Sequence, residues 1–179
     1  MKKYLLILTL LLTAFHFSSC VTDDEEEDKG TELNIGDSIP SFTVSLNNGK
    51  TVSSNDLLGN VSLIVFFHTA CKDCQQELPI IQQFHDAYPE YPLLCISRAE
   101  NETSVAAYWE QHQLSLPYSA QDDRTLYNQF ARQGIPRIFI VDTTGIIRYI
   151  YTDNPLATLE DLERAVQSID TETMIAVQV

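Results

Sequence analysis

Positive charge is scarce in this sequence. Eleven Lys and Arg stand against 25 Asp and Glu, for a formal net charge of −14. With nothing basic gathered to displace phosphate counterions, a nucleic-acid partner is disfavoured. Cysteine is scarce too: four residues, widely spread, are too few for a disulfide scaffold. No internal repeat is visible. The apolar stretch from Tyr4 to Phe17 is too short for a comfortable membrane span. What the chain does have is a 44% apolar fraction over 179 residues, enough for one folded domain with short additions.

The additions lie at the ends. Lys2 and Lys3 precede the Tyr4–Phe17 stretch, which closes on Phe17-Ser18-Ser19-Cys20, the layout of a targeting leader. Small residues before a cysteine resemble a bacterial lipobox, with Phe17 where Leu is common. The expectation is a signal peptide over 1–19, with Cys20 lipidated and tying the chain to a membrane; the plainer reading is an ordinary signal peptide. Asp23-Asp24-Glu25-Glu26-Glu27-Asp28 follows at once. Six adjacent acids repel one another and stay solvated, which makes 20–32 an acidic tether. The run also resembles the acidic export signal of surface lipoproteins.

From 33 to 170 the pattern is that of an α/β domain, with 171–179 as a tail. Thr43 to Leu46 and Thr51-Val52, joined by Asn47-Asn48-Gly49-Lys50, read as a β-hairpin. Ser54 to Gly59 reads as a short capped helical turn. The apolar run Val61–Phe67 is a buried strand, and a helix follows with Cys74, Leu78, Ile81, Phe84 and Tyr88 along one face. Pro92–Ser97 is a second apolar strand and Thr103–Gln113 a second helix, so these strands should run parallel. A short helix is expected over Asp123–Gln133. Arg137–Asp142 and Ile146–Tyr151 then form a hairpin, and Thr158–Ile169 a closing amphipathic helix.

Chemistry concentrates where the first long strand meets its helix, at Cys71-Lys72-Asp73-Cys74. The first turn of a helix leaves amides unpaired, and these with the helix dipole favour a thiolate. Cys71, at the open end, is the expected attacking sulfur. Cys74, one turn inside, can reach it and close a redox-active disulfide. Lys72 favours the thiolate and Asp73 opposes it.

These features together resemble the TlpA/ResA-like envelope thiol-disulfide oxidoreductases, a branch of the thioredoxin-like proteins. The resemblance rests on the C-x-x-C pair at a strand–helix junction, Pro79 five residues later, and Gly134-Ile135-Pro136 before a strand. The Ile35-Gly36-Asp37 opening, Glu77, and Ile138, Val141, Asp142 and Gly145 near the end also fit. It implies a thioredoxin fold, with a mixed central sheet flanked by helices and an N-terminal hairpin. It implies a cis-proline at Pro136 that turns Ile135 toward the cysteine pair, so that both dock an extended partner. It implies that Glu77 is a buried acid exchanging protons with the resolving thiol; the alternative is an acid complementing the helix dipole. Substrates would be protein thiols and disulfides, with a membrane redox donor and no cofactor or metal, in a lipid-anchored protein of the cell envelope, at the outer membrane. Ala70 replaces the family's usual Trp, Asp73 a frequent Pro, and Arg137 a small polar residue.

Other readings compete. His68, Cys71 and Cys74 are three soft ligands that could hold zinc or copper if His85 or Cys95 supplied a fourth. Gln75 excludes haem attachment through C-x-x-C-H. Peroxiredoxins share the fold but place a threonine three residues before their reactive cysteine and a proline earlier. Here His68 and Val65-Phe66-Phe67 occupy that region, which argues against a peroxidase. A lipid-anchored binding module with a merely structural disulfide is the non-enzymatic alternative. Cys95, inside an apolar strand, reads as a small buried hydrophobe.

Overall fold

The structure, a computed structural model, describes residues 30–177. The leader, Cys20 and the acidic run lie outside the described residues. A two-stranded hairpin pairs β1 (Thr43–Ser45) with β2 (Thr51–Ser53), and Gly49 at φ +79° supplies the turn. The central sheet has five strands in the order β5-β4-β3-β6-β7. β3 (Ser62–Phe67) lies in the middle, parallel to β4 (Leu93–Ser97) and antiparallel to β6 (Arg137–Val141). β5 (Tyr118–Ser119) runs parallel beside β4, and β7 (Ile147–Tyr151) antiparallel beside β6. Among the described residues three α-helices flank the sheet: α1 (Lys72–Ala87), α2 (Glu102–His112) and α3 (Leu159–Val177).

Every residue of β3 is buried, as an apolar run covered on both faces requires. α1 turns Cys74, Leu78, Ile81 and Phe84 inward, the stripe its sequence spacing specifies. α2 is held at its start by the Asn101 side chain, which accepts from the Ser104 amide at 3.0 Å. Its Trp109 is buried and donates through Nε1 to the Leu116 carbonyl at 3.0 Å. α3 is capped by Thr158, whose amide donates to Asp161 Oδ2 at 3.0 Å. This helix runs to Val177, past the 170 boundary suggested by the sequence.

Between Asp123 and Gln133 the expected helix is replaced by loop, with one 3-10 turn at Tyr127–Gln129. Long-range partners take the backbone groups a helix would need. The Asn128 and Phe130 carbonyls accept from the amides of Thr31 and Leu33, at 2.7 and 3.0 Å. Gly30 to Leu33 thus forms a strap along this loop, and Gly30, Thr31 and Glu32 of the expected tether are part of it. The approach is close: a β-carbon on Gly30 would meet the Ala131 carbonyl oxygen at 3.1 Å.

Phe66, near the C-terminal end of β3, joins sheet and loop. Its ring lies 5.0 Å from that of Phe130, 5.4 Å from Tyr127 and 6.2 Å from Phe139, in tilted and edge-on arrangements. Phe66→Ala is expected to lower stability by about 3–5 kcal/mol through the lost transfer energy and the cavity left behind. Urea unfolding measures it, and Phe66→Leu should recover more than half of the loss.

Candidate active site

β3 ends at Phe67, and within four residues the chain has turned into α1 with Cys71 as its N-cap. The Cys74 amide points at the Cys71 sulfur, 3.4 Å away, and the Gln75 amide donates to the Cys71 carbonyl at 3.0 Å. One amide of the helix start therefore faces the first thiol, while the next closes the first helical turn on the Cys71 carbonyl. Both thiols are free, Cys71 half-buried and Cys74 fully buried. Burial, the bond to Cys71 and the nearby Glu77 charge all push the Cys74 thiol well above its ordinary value. One sulfur is open to solvent and the other is closed off.

The Ile135–Pro136 bond is cis, and the Ile135 carbonyl oxygen accepts from the Cys71 thiol at 3.5 Å. Tyr127 donates its hydroxyl to the Gly134 carbonyl at 2.7 Å, holding the loop just before the proline. Cys71, Cys74, Ile135 and Pro136, far apart in sequence, are thus brought together.

Glu77 stands one turn into α1 from Cys74 and is only 1% exposed. Its Oε1 accepts from the Ala157 amide at 2.7 Å, while its buried Oε2 has no partner. Desolvation, opposed by the Ala157 bond and aided by the charges of Asp153 and Asp73, raises its pKa from 4.5 to about 7. The carboxyl is thus buried and half-satisfied.

The His68 ring is bonded to its own turn and sits beside Glu100. Its Nδ1 accepts from the Ala70 amide at 3.1 Å and lies 3.5 Å from Glu100 Oε2. Cys95 is fully buried in β4 and desolvation pushes its thiol up, which leaves it poorly suited to complete a metal set. Among the described residues, no group of three or more His, Cys, Asp and Glu side chains is placed to hold a metal ion.

Sequence reasoning missed Glu100. It is 8% exposed, accepts from the Thr69 amide at 2.8 Å and also from the Thr69 hydroxyl, and so braces the turn before Cys71. It is followed by Asn101 and Glu102 at a helix start, where an acid reads as surface; only the fold shows it facing inward. Glu32 was missed for the same reason, placed in a solvated tether.

The sequence pattern of the AhpC/TSA family matches residues 35–150. The chain belongs to that family. Among its relatives, the thiol-disulfide oxidoreductase ResA of Geobacillus kaustophilus is 26% identical over 165 residues, 91% of this chain and 92% of that protein. The thioredoxin domain of a thiol-disulfide oxidoreductase from Bacteroides vulgatus superposes with a TM-score of 0.65 at 23% identity, covering 75% of this chain and 99% of that one. StoA from Bacillus subtilis gives 0.63 at 22% identity, covering 71% and 96%. These solved structures share the fold: a thioredoxin fold with a mixed sheet.

The raised pKa of Glu77 has a consequence for stability. The folded state holds this proton more tightly than the unfolded chain. Its contribution is therefore full below about pH 4.5 and is lost as pH rises to about 7. Glu77→Gln should remove that loss and flatten the profile. By urea unfolding of the reduced protein, the variant should gain on wild type by up to about 3 kcal/mol between pH 4.5 and pH 8.

Proposed function

We propose that this chain is a thiol-disulfide oxidoreductase of the bacterial cell envelope that exchanges the Cys71–Cys74 dithiol and disulfide with protein substrates. The observation that carries the reading is the asymmetry of the pair: an accessible sulfur facing a helix amide, beside a buried sulfur one turn away. The thioredoxin fold and the thiol-disulfide oxidoreductase relatives support it.

When the dithiol reduces a substrate, the Cys71 thiolate attacks one sulfur of the substrate disulfide. A mixed disulfide forms, and the other substrate sulfur leaves as a thiolate. Cys74 then loses its proton and attacks the Cys71 sulfur, releasing the second substrate thiol and leaving Cys71–Cys74 oxidised. Glu77 is the base this second step needs, since the Cys74 thiol is strongly disfavoured as an anion. Oxidation of a substrate dithiol runs the same steps backward. Ile135 and Pro136 dock the substrate, an extended segment pairing with backbone beside the cis bond.

The cell-envelope address rests on the leader, with Cys20 as a lipid-bearing anchor at the outer membrane and a membrane redox donor renewing the pair. Among the described residues no helix is long and apolar enough to cross a membrane. Cys20→Ala is expected to move the protein from the membrane fraction to the soluble envelope fraction. Unchanged fractionation would remove the anchor from the reading.

Trapping tests the chemistry itself. Cys74→Ser keeps the attacking sulfur and removes the resolving one, so substrates should stay covalently attached and run as adducts on non-reducing gels. Cys71→Ser should trap far less, because the remaining sulfur is buried. Equal trapping by both would reverse the roles. If neither traps and wild type fails to exchange with a small disulfide, the binding-module reading replaces this one.

A further inference from the structure

Cationic side chains are few in this acidic chain, yet several converge beside the cis-proline loop. The guanidinium groups of Arg124 and Arg98 lie 5.2 and 5.8 Å from the Tyr127 ring centre, on the residue whose hydroxyl holds Gly134. Arg137 follows Pro136 directly, and its side chain is 11% exposed. Its tip would stand 3.7 Å from a side chain at Gly134. Burial pushes the Tyr127 hydroxyl up; the charges of Arg137, Arg98 and Arg124 pull it down and that of Glu32 pushes it up.

Among the described residues Glu32 is the acid ion-paired with Arg137, while Asp153 Oδ1 would stand 4.0 Å from the same added side chain at Gly134. Glu32, on the strap, pairs its Oε1 with Arg137, and its Oε2 accepts from the Arg132 amide at 3.0 Å. Arg132 in turn donates through Nε to the Gly30 carbonyl at 2.9 Å. The strap is thereby fixed on the loop, and its carboxylate sits on the cation nearest the substrate-docking backbone. Burial works against the Glu32 carboxylate, yet the Arg132 amide and Arg137 hold it below the usual range.

We propose that Glu32 is a specificity-determining residue: by neutralising Arg137 beside Pro136, it prevents the docking face from preferring substrates with acidic residues next to their cysteine. The proposal rests on the thiol-exchange reading above. Its physical basis is the field of one charge close to the path of an incoming segment. Such a charge changes encounter rates with charged partners and leaves neutral ones alone. Glu32 touches no reacting atom and acts only through Arg137, so it is a positioning residue with an electrostatic readout.

The test is single-turnover oxidation of the reduced full chain by three peptide disulfides that differ only in the residue beside cysteine: Glu, Gln or Lys. Glu32→Gln should raise the second-order rate with the Glu probe by about three- to tenfold and lower it with the Lys probe, leaving the Gln probe unchanged. The differences should collapse in 1 M NaCl, where the Debye length is about 3 Å. Arg137→Gln removes the ion-pair partner of Glu32 and leaves it the Arg132 amide and the Arg132 charge, so the order of the probes should be the reverse of that in Glu32→Gln. The double variant carries neither charge and should return to the wild-type order. Arg137→Lys keeps the cation and should behave as wild type, which guards against a fold defect in the Gln variant. Equal shifts for all three probes, or none, would overturn the proposal and leave the exchange reading standing. No exchange with any probe, the neutral one included, would remove both.

Discussion

β3 is paired along both edges, to β4 on one side and β6 on the other, and no residue of it is exposed. A strand so enclosed cannot shift register without turning its whole apolar set around. Its C-terminal end is therefore a fixed point, and α1 starts from that point. The neighbours inherit the same rigidity. β6 begins at Arg137 opposite Phe66, so Pro136 arrives beside the helix start because the sheet register puts it there. The closeness of Ile135 to Cys71 follows from strand pairing, while the sequence between them supplies the crossover and the loop.

Around that fixed point the chemistry depends on unequal solvation. Cys71 and Cys74 are the same residue type three positions apart, and what separates them is water. The half-buried sulfur faces a helix amide, and the buried one faces apolar side chains and a carboxyl that shares its low-dielectric surroundings. Glu77 keeps one oxygen bonded to Ala157 and the other unpaired. Full pairing would lower its pKa and tie it down as a structural anion; no pairing would leave it too costly to bury. The single bond from the loop before α3 holds it between those limits.

Periodicity made most of the fold legible. The apolar run at β3, the stripe on α1, the Gly49 turn and the alternation of strand and helix are local signals, and each corresponds to an observed element. The closeness of the cysteine pair was legible because spacing along a helix translates directly into position, whereas a buried acid at Glu77 was what the family resemblance implied. The loop after β5 was not, since its sequence suits a helix and the competing partners come from about 100 residues earlier. Glu100 and Glu32 were missed on the same grounds. An acid beside a helix start or in a charged stretch is solvated by default; the inward position of Glu100 depends on Thr69, and the pairing of the exposed Glu32 on Arg132 and Arg137, none of them within a local window.

The strap also gives the domain a mechanical polarity. Gly30 to Leu33 lies along the 128–132 loop, held by the Thr31 and Leu33 amides and by Arg132. Tension drawn through the residues before Gly30 would load these bonds first, ahead of the hairpin and the sheet. The loop under load is the one that Tyr127 ties to Gly134, and Gly134 leads into the cis-proline. A pull drawn in at Gly30 would thus be felt at the cis-proline loop before it reaches the core.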